Sequence, residues 1–193
     1  MRDIDVRRAL CSKLSRDHAG EPDCVWVEEL ELCQGAARVD MAVVNGTIHG
    51  YEIKSERDTL VRLASQQRTY NEALEYVTIV AATNHLQKII DSVPDWWGVW
   101  SAKSHKGEVR LKRERKARRN PEVTSYALAQ YLWHEEALRA LEAKNEARGM
   151  RGKPRRVLWQ RLTEICSQPE LTEIVRSAIK ARSTGWRAVP PSA

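Results

Sequence analysis

Two carboxylates and an ammonium group fall within fifteen residues of this chain: Asp40, then Glu52-Ile53-Lys54. Side chains alternate faces along a strand, so Glu52 and Lys54 project together. Whether Asp40 joins them depends on the turn between, which holds Asn45-Gly46, the strongest short hairpin signal in a sequence. A strict two-residue turn would pair Asp40 with Tyr51 and set Glu52 opposite Val39, on the wrong face. A three-residue loop, Asn45-Gly46-Thr47, with Gly46 left-handed, or an equivalent bulge, instead puts Asp40 across from Glu52 and Arg38 across from Lys54, and this is the predicted turn. Carboxylates opposed at ~5 Å between Cβ atoms repel unless a cation lies between them. A hard divalent ion, Mg²⁺ or Mn²⁺, suits oxygen ligands. It can polarise a phosphate and bind an attacking water. Lys54 beside it can stabilise developing negative charge or assist deprotonation of the water.

On exposed strands such a trio is commonly a solvated face with weak ion pairs. Here the neighbours are Val39, Met41, Val43, Val44, Ile48 and Ile53, which predicts burial, and charge in a buried sheet is costly unless partnered or used.

Elements must hold these residues in place. Ile4, Val6, Ala9, Leu10 and Leu14 recur at helical intervals, predicting a helix from Asp3 to about Arg16. Gly20 and Pro22 mark a loop, Cys24 to Leu32 a strand, and the hairpin follows. Ser55 with Asp58 resembles a capping box opening a helix through Leu60, Leu63, Tyr70 and Leu74 to about Glu75. Tyr76 to Ala82 is an unbroken apolar run, as in a strand covered on both faces. A short helix near His85 to Asp91 and a strand from Gly98 to Ala102 complete an α/β pattern with a mixed sheet. Nine Lys or Arg then fall between Lys103 and Arg119, either a track for phosphates or a solvated strand and linker. Beyond Asn120-Pro121 the periodicity is helical: Tyr126 to Ala147, Arg155 to Ser167 and Glu170 to Ala181. The division expected is 1–119, 120–187 and a frayed tail at 188–193.

Thirty-two Lys and Arg against 26 Asp and Glu give a net charge of +6, compatible with a polyanionic partner. Cys11, Cys24, Cys33 and Cys166 form no CxxC pair, which favours reduced thiols over structural zinc. The charged start MRDIDVRRAL is unlike a signal peptide, and no stretch approaches ~20 apolar residues. A soluble, cytoplasmic protein is expected.

The Asp40 and Glu52-Ile53-Lys54 segment resembles the PD-(D/E)XK nuclease superfamily, with its restriction-endonuclease-like αβββαβ core, Asp on the second strand and (Asp/Glu)-x-Lys on the third. Gln66-Gln67-Arg68-Thr69-Tyr70 resembles the QhxxY motif of RecB-like members, Gln67 standing where an apolar residue is usual. Val39 stands where the superfamily name has Pro. GAARVDMAVVNGTIHGYEIKSERDTLVRL and PDWWGVW are similar to a bacterial family of nuclease-like proteins in that superfamily. The resemblance covers residues 1 to 102 and implies metal-dependent DNA hydrolysis leaving a 5′-phosphate and a 3′-hydroxyl, in DNA repair or phage defence. Asp40, Glu52 and the Ile53 carbonyl would hold Mg²⁺ or Mn²⁺, and Lys54 would orient the water. Gln66, Arg62 and Tyr70 would contact the DNA backbone or the water, and Ser55 a phosphate or a helix cap. A further acidic ligand comes from Glu28, Glu29, Glu31, Asp3 or Asp5, with Glu29 favoured. RNA stays open as a substrate, as do a homodimer and a larger repair or defence assembly. A non-catalytic or partner-activated DNA-binding subunit is the alternative.

The helix–basic loop–helix stretch LWHEEALRALEAKNEARGMRGKPRRVLWQRLTEI resembles SAP-type DNA-binding modules. That resemblance would put Arg151, Lys153, Arg155 and Arg156, with Arg148, on a phosphate-facing surface. Trp96, Trp97 and Trp100 sit in an apolar stretch where packing is favoured over base stacking.

Overall fold

The computed structural model describes residues 1–182, so the expected tail at 188–193 and the end of the 120–187 region lie outside the described residues. Val6, Leu10 and Leu14 are buried along one stripe of helix α1 (Asp3–Asp17), as four-residue spacing requires. Strands β1 (Val25–Leu32), β2 (Ala37–Val44) and β3 (Ile48–Lys54) follow, β1 and β2 being joined by a 3-10 turn at Cys33–Gly35. Helix α2 (Leu63–Ala73), β4 (Tyr76–Ala82), α3 (Leu86–Ser92), β5 (Gly98–His105) and β6 (Glu108–Arg115) come next. The chain then forms α4 (Ser125–Ala129), α5 (His134–Ala143), α6 (Arg155–Ile165) and α7 (Gln168–Ala181).

The class is α/β. Six strands make one sheet in the order of the chain, antiparallel at both edges and parallel from β3 through β5. Parallel neighbours need crossovers, which α2 and α3 supply. One face carries α1, whose stripe packs with Met41, Val43, Tyr51, Ile53, Val80 and Trp100. The other face forms a larger core in which Val39, Val44 and Ile79 join Leu74, Leu128, Trp159 and Val175. The sheet and the C-terminal helices therefore share one apolar interior. Trp96, Trp97 and Trp100 are all buried, the packing role expected of them.

The hairpin register is the expected one from Val44–Ile48 to Met41–Tyr51, where the ladder ends, so the expected Asp40–Glu52 and Arg38–Lys54 pairs do not form. Gly46, however, is not left-handed, since the glycines with positive φ are Gly35, Gly107 and Gly149. Asn45 Oδ1 accepts from the Thr47 N–H at 3.1 Å. This side chain-to-backbone turn closes the loop without a left-handed glycine.

Alternation slips by one residue in two neighbouring strands. In β2, Ala37 and Val39 face the same core as Ala42 and Val44, and in β1 Val27 shares it with Leu30 and Leu32. Both slips bracket Glu29, which has φ 54° and falls opposite Asp40 between the Glu28–Met41 and Leu30–Val39 pairs. A non-glycine residue in the left-handed region costs ~1–2 kcal/mol.

Three sequence expectations need correction. Ser55 and Asp58 do not open α2: the Ser55 N–H and hydroxyl both donate to Asp58 Oδ2 (2.6 and 2.7 Å), closing a turn, and the helix begins only at Leu63. The strand expected to end at Ala102 continues to His105 and pairs with β6, so the basic run is largely an edge strand. The helix expected over Tyr126 to Ala147 is broken at Gln130–Trp133. There Glu136 accepts from the Trp133 N–H at 2.7 Å, a capping contact that starts a new helix.

The far end of α2 is pinned. Asn120 Nδ2 donates to the Asn71 and Leu74 carbonyls (2.6 and 2.7 Å), and Tyr131 Oη to that of Ala73 (2.9 Å). These carbonyls have no partner within the helix.

Candidate functional site

The ladder between β2 and β3 stops at Met41 and Tyr51, and the strands fork. Side chains take over the backbone groups the fork releases. Asp40 Oδ2 accepts from the Ile53 N–H at 2.6 Å, and the Tyr70 hydroxyl lies 2.9 Å from the Arg38 carbonyl. The N–H and C=O of a strand residue point to the same side, so the Ile53 carbonyl faces this gap as well. Asp40 is thus held beside β3 by a charge-assisted bond in place of a ladder bond.

Glu52 is 2% exposed and Lys54 5%. Lys54 Nζ donates to Glu52 Oε1 at 2.5 Å and to Gln66 Oε1 at 3.2 Å. Gln66 Nε2 donates to Glu52 Oε1 at 2.7 Å. The Tyr70 hydroxyl donates to Glu52 Oε2 at 2.6 Å. Burial and then the neighbouring Glu52 charge push the Tyr70 phenol far up, so it stays a donor. Gln66 and Tyr70 reach Glu52 together because residues four apart share a helix face.

On the α1 side, Arg7 donates to the Asp40 carbonyl (2.9 Å), to Asp40 Oδ1 and Glu29 Oε1 (3.1 Å each) and to Asp3 Oδ1 (3.4 Å). Arg38 Nε lies 2.6 Å from Glu29 Oε2. Burial lowers the Arg7 pKa, but the Asp40, Asp3 and Glu29 charges outweigh it and the net shift is upward. Burial, then the charge of Glu52, raises the Asp40 carboxyl to about 7.

These groups border a cleft of about 390 Å³ whose lining includes Glu29, Asp40, Glu52, Ile53, Lys54, Arg62 and Gln66. Seven of the expected site residues therefore come together. Tyr70, expected to contact nucleic acid, is fully buried and instead positions Glu52. Ser55 is buried beside the site, its hydroxyl turned to Asp58. Glu29, favoured as a further metal ligand, lines the same cleft, but its two oxygens are held by Arg7 and Arg38. Arg151, Lys153, Arg155 and Arg156 are exposed near the start of α6. Only Arg155 reaches a second groove, which adjoins the cleft through Glu29 and Glu31, and its guanidinium stacks on Trp159 at 5.3 Å. Arg151 is paired with Glu142 at 3.0 Å.

Sequence reasoning missed Arg7. Its position beside Val6 on an amphipathic helix was the only available signal.

The donor set of Asp40, Glu52 and the Ile53 carbonyl is all hard oxygen, which suits Mg²⁺ or Mn²⁺. Burial, and after it the charge of Glu52, disfavours ionised Asp40, and a bound cation would favour it. Among the described residues, a group of three potential ligand side chains lies elsewhere: His18, Glu21 and Cys24, whose ligand atoms are within 4.8 Å of one another. They sit on the α1–β1 loop, where Asn45 Nδ2 donates to Glu21 Oε2 at 2.7 Å. Among the described residues no helix is long and apolar enough to cross a membrane.

Residues 2–186 match the family described as bacteriophage P4 protein cII. The chain is similar to protein cII of Enterobacteria phage P4, with 32% identity over 96 residues, which is 50% of this chain and 36% of that protein. The match thus spans about a third of the relative's length. No solved structure matches.

Proposed function

The chain belongs to the family of bacteriophage P4 protein cII, and from its cleft we propose a metal-dependent nuclease of the PD-(D/E)XK type that hydrolyses DNA phosphodiester bonds. The observation that carries this reading is the fork, where Asp40 is tied to the backbone of Ile53 while Glu52, Lys54 and Gln66 bond one another in the same cleft. The order α1-β1-β2-β3-α2-β4, with Asp40 on β2 and Glu52-x-Lys54 on β3, supports it by parallel with the αβββαβ core of that superfamily.

Asp40, Glu52 and the Ile53 carbonyl would hold one Mg²⁺ or Mn²⁺ ion, which when bound supplies Lewis acidity and an activated water. Lys54 has three N–H donors. Glu52 and Gln66 hold two of them, which leaves one for a phosphate oxygen or the attacking water. Tyr70 and Gln66 fix both oxygens of Glu52, so its orientation is set before substrate arrives. Arg62 lines the cleft and is exposed, placed to meet the DNA backbone. Water attacks phosphorus, the bond to the 3′ oxygen breaks, and a 5′-phosphate and a 3′-hydroxyl result.

The test is cleavage of plasmid, single-stranded and branched DNA, and of RNA, with Mg²⁺ or Mn²⁺. Lys54→Ala should lower the rate by ~10²–10³-fold, the usual effect of losing one charge-stabilising donor. Absence of metal-dependent cleavage, or cleavage unchanged in Lys54→Ala, would sink the assignment.

One observation favours a second reading, a partner-activated subunit. Every carboxylate oxygen of Asp40 and Glu52 already receives a protein donor, as in a site closed until a partner opens it. Cleavage appearing only with added cell extract, and lost in Lys54→Ala, would select it.

A further inference from the structure

Among the described residues Arg7 is the guanidinium that reaches the proposed catalytic carboxylates, at Asp40, and we infer that it is the site's resident second cation, so that the cleft takes one divalent ion and not two. This rests on the nuclease reading above.

The observations lie on three elements. From α1, the Arg7 side chain is 16% exposed and spans Asp3, Glu29 and Asp40, an arrangement suited to a planar fork of donors and less to a point charge. On β1, Glu29 takes a left-handed backbone (φ 54°) in mid-strand and turns its carboxylate to Arg7 and Arg38 (3.1 and 2.6 Å). Backbone strain there serves to fix the arginine. On β2, Asp40 gives Arg7 both its carbonyl and Oδ1.

Charge points the same way. Six carboxylates border the cleft: Asp3, Glu29, Glu31, Asp40, Glu52 and Asp58. Against them stand Arg38, Lys54 and Arg62 in the lining, together with Arg7 on Asp40. With Asp40 ionised, as a bound cation would make it, two formal negative charges remain, which one divalent ion balances. A second ion would need a further cluster of oxygen ligands, and the carboxylate opposite Asp40 that could start one, Glu29, is committed to the two arginines. Arg7 thus supplies Asp40 with a permanent positive charge where a second ion would otherwise have to bind.

Calorimetric titration of the full chain with Mn²⁺, with circular dichroism as a check on folding, tests this. With His18→Ala as the background, which removes a ligand of the His18, Glu21 and Cys24 group, the protein should bind one Mn²⁺, and Asp40→Asn none. Arg7→Met should gain a second equivalent, and Arg7→Lys, which keeps the charge, should stay at one. Two equivalents that are both lost in Asp40→Asn would overturn the inference while leaving the nuclease reading standing, and this holds even if Arg7→Met fails to fold. A folded Arg7→Met that still binds one ion with unchanged affinity would also overturn it. No Mn²⁺ binding by folded wild type would overturn the metal site and the inference together.

Discussion

The β2–β3 fork and the β5–β6 hairpin are both dense in charge, yet they hold it in opposite ways. At the fork, Glu52 and Lys54 are buried and nearly every polar atom has a named partner. On the hairpin, Lys103, Lys106, Arg110, Lys112 and Arg113 are exposed, while Val109 and Leu111 pack inward beside α1. Water solvates the hairpin charges cheaply. At the fork each charge has lost hydration and stays only because an opposite charge or a donor replaces it. The same residue types therefore mean different things: a selected geometry in one place, a diffuse positive field in the other.

The largest expected contrast is in stability. Lys54→Met leaves Glu52 buried without its cation and should cost ~3–5 kcal/mol. Arg113→Met on the hairpin should change stability by less than ~0.5 kcal/mol. Urea denaturation of the two variants reads this, and equal losses would break the comparison.

A smaller effect should follow pH. The Asp40 carboxyl rises from 3.8 to about 7 in the fold, so the folded state prefers it protonated. Its contribution is complete below pH ~4 and is lost as pH rises through about 7. His49, lowered by burial to about 3, acts oppositely, removing stability as pH falls below 6.5. The difference between metal-free wild type and Asp40→Asn isolates the carboxyl. Asp40→Asn should gain on wild type from about pH 4 to about pH 7 and level off above it, and a flat difference across that window would show that Asp40 ionises normally.

The smallest effect on stability belongs to Arg110→Glu with Arg113→Glu. If the hairpin contacts phosphates, the salt dependence of DNA affinity should fall by roughly one unit per lost contact while folding is unchanged. An unaltered slope would make the basic strand a solvated edge only.

Much of the β2–β3 hairpin was legible. Asn45-Gly46-Thr47 points to the register of the paired part of the hairpin, although an asparagine side chain and not a left-handed glycine closes it and the fork beyond Met41 and Tyr51 has no local signal. Gln66 and Tyr70 announce a shared face by spacing. Arg7 and the conformation of Glu29 were not legible, since each is defined by contacts across three elements that no local pattern encodes. The break before α5 was hidden similarly. Its apolar periodicity runs on through Gln130–Trp133, and only Glu136 returning to the Trp133 N–H interrupts it.

Helix α2 behaves mechanically as a cantilever. Asn120 and Tyr131 clamp its last carbonyls to the body of the protein, while Arg62 and Gln66 stand at the opposite, uncapped end. Any displacement the cleft must absorb on meeting a ligand is therefore leveraged at that end and at the 55–62 turn before it. Stiffness at one end of the rod leaves adjustment to the exposed Arg62 and the turn before it, while Gln66, tied to Glu52 and Lys54, and Tyr70, nearer the clamp, stay with the site.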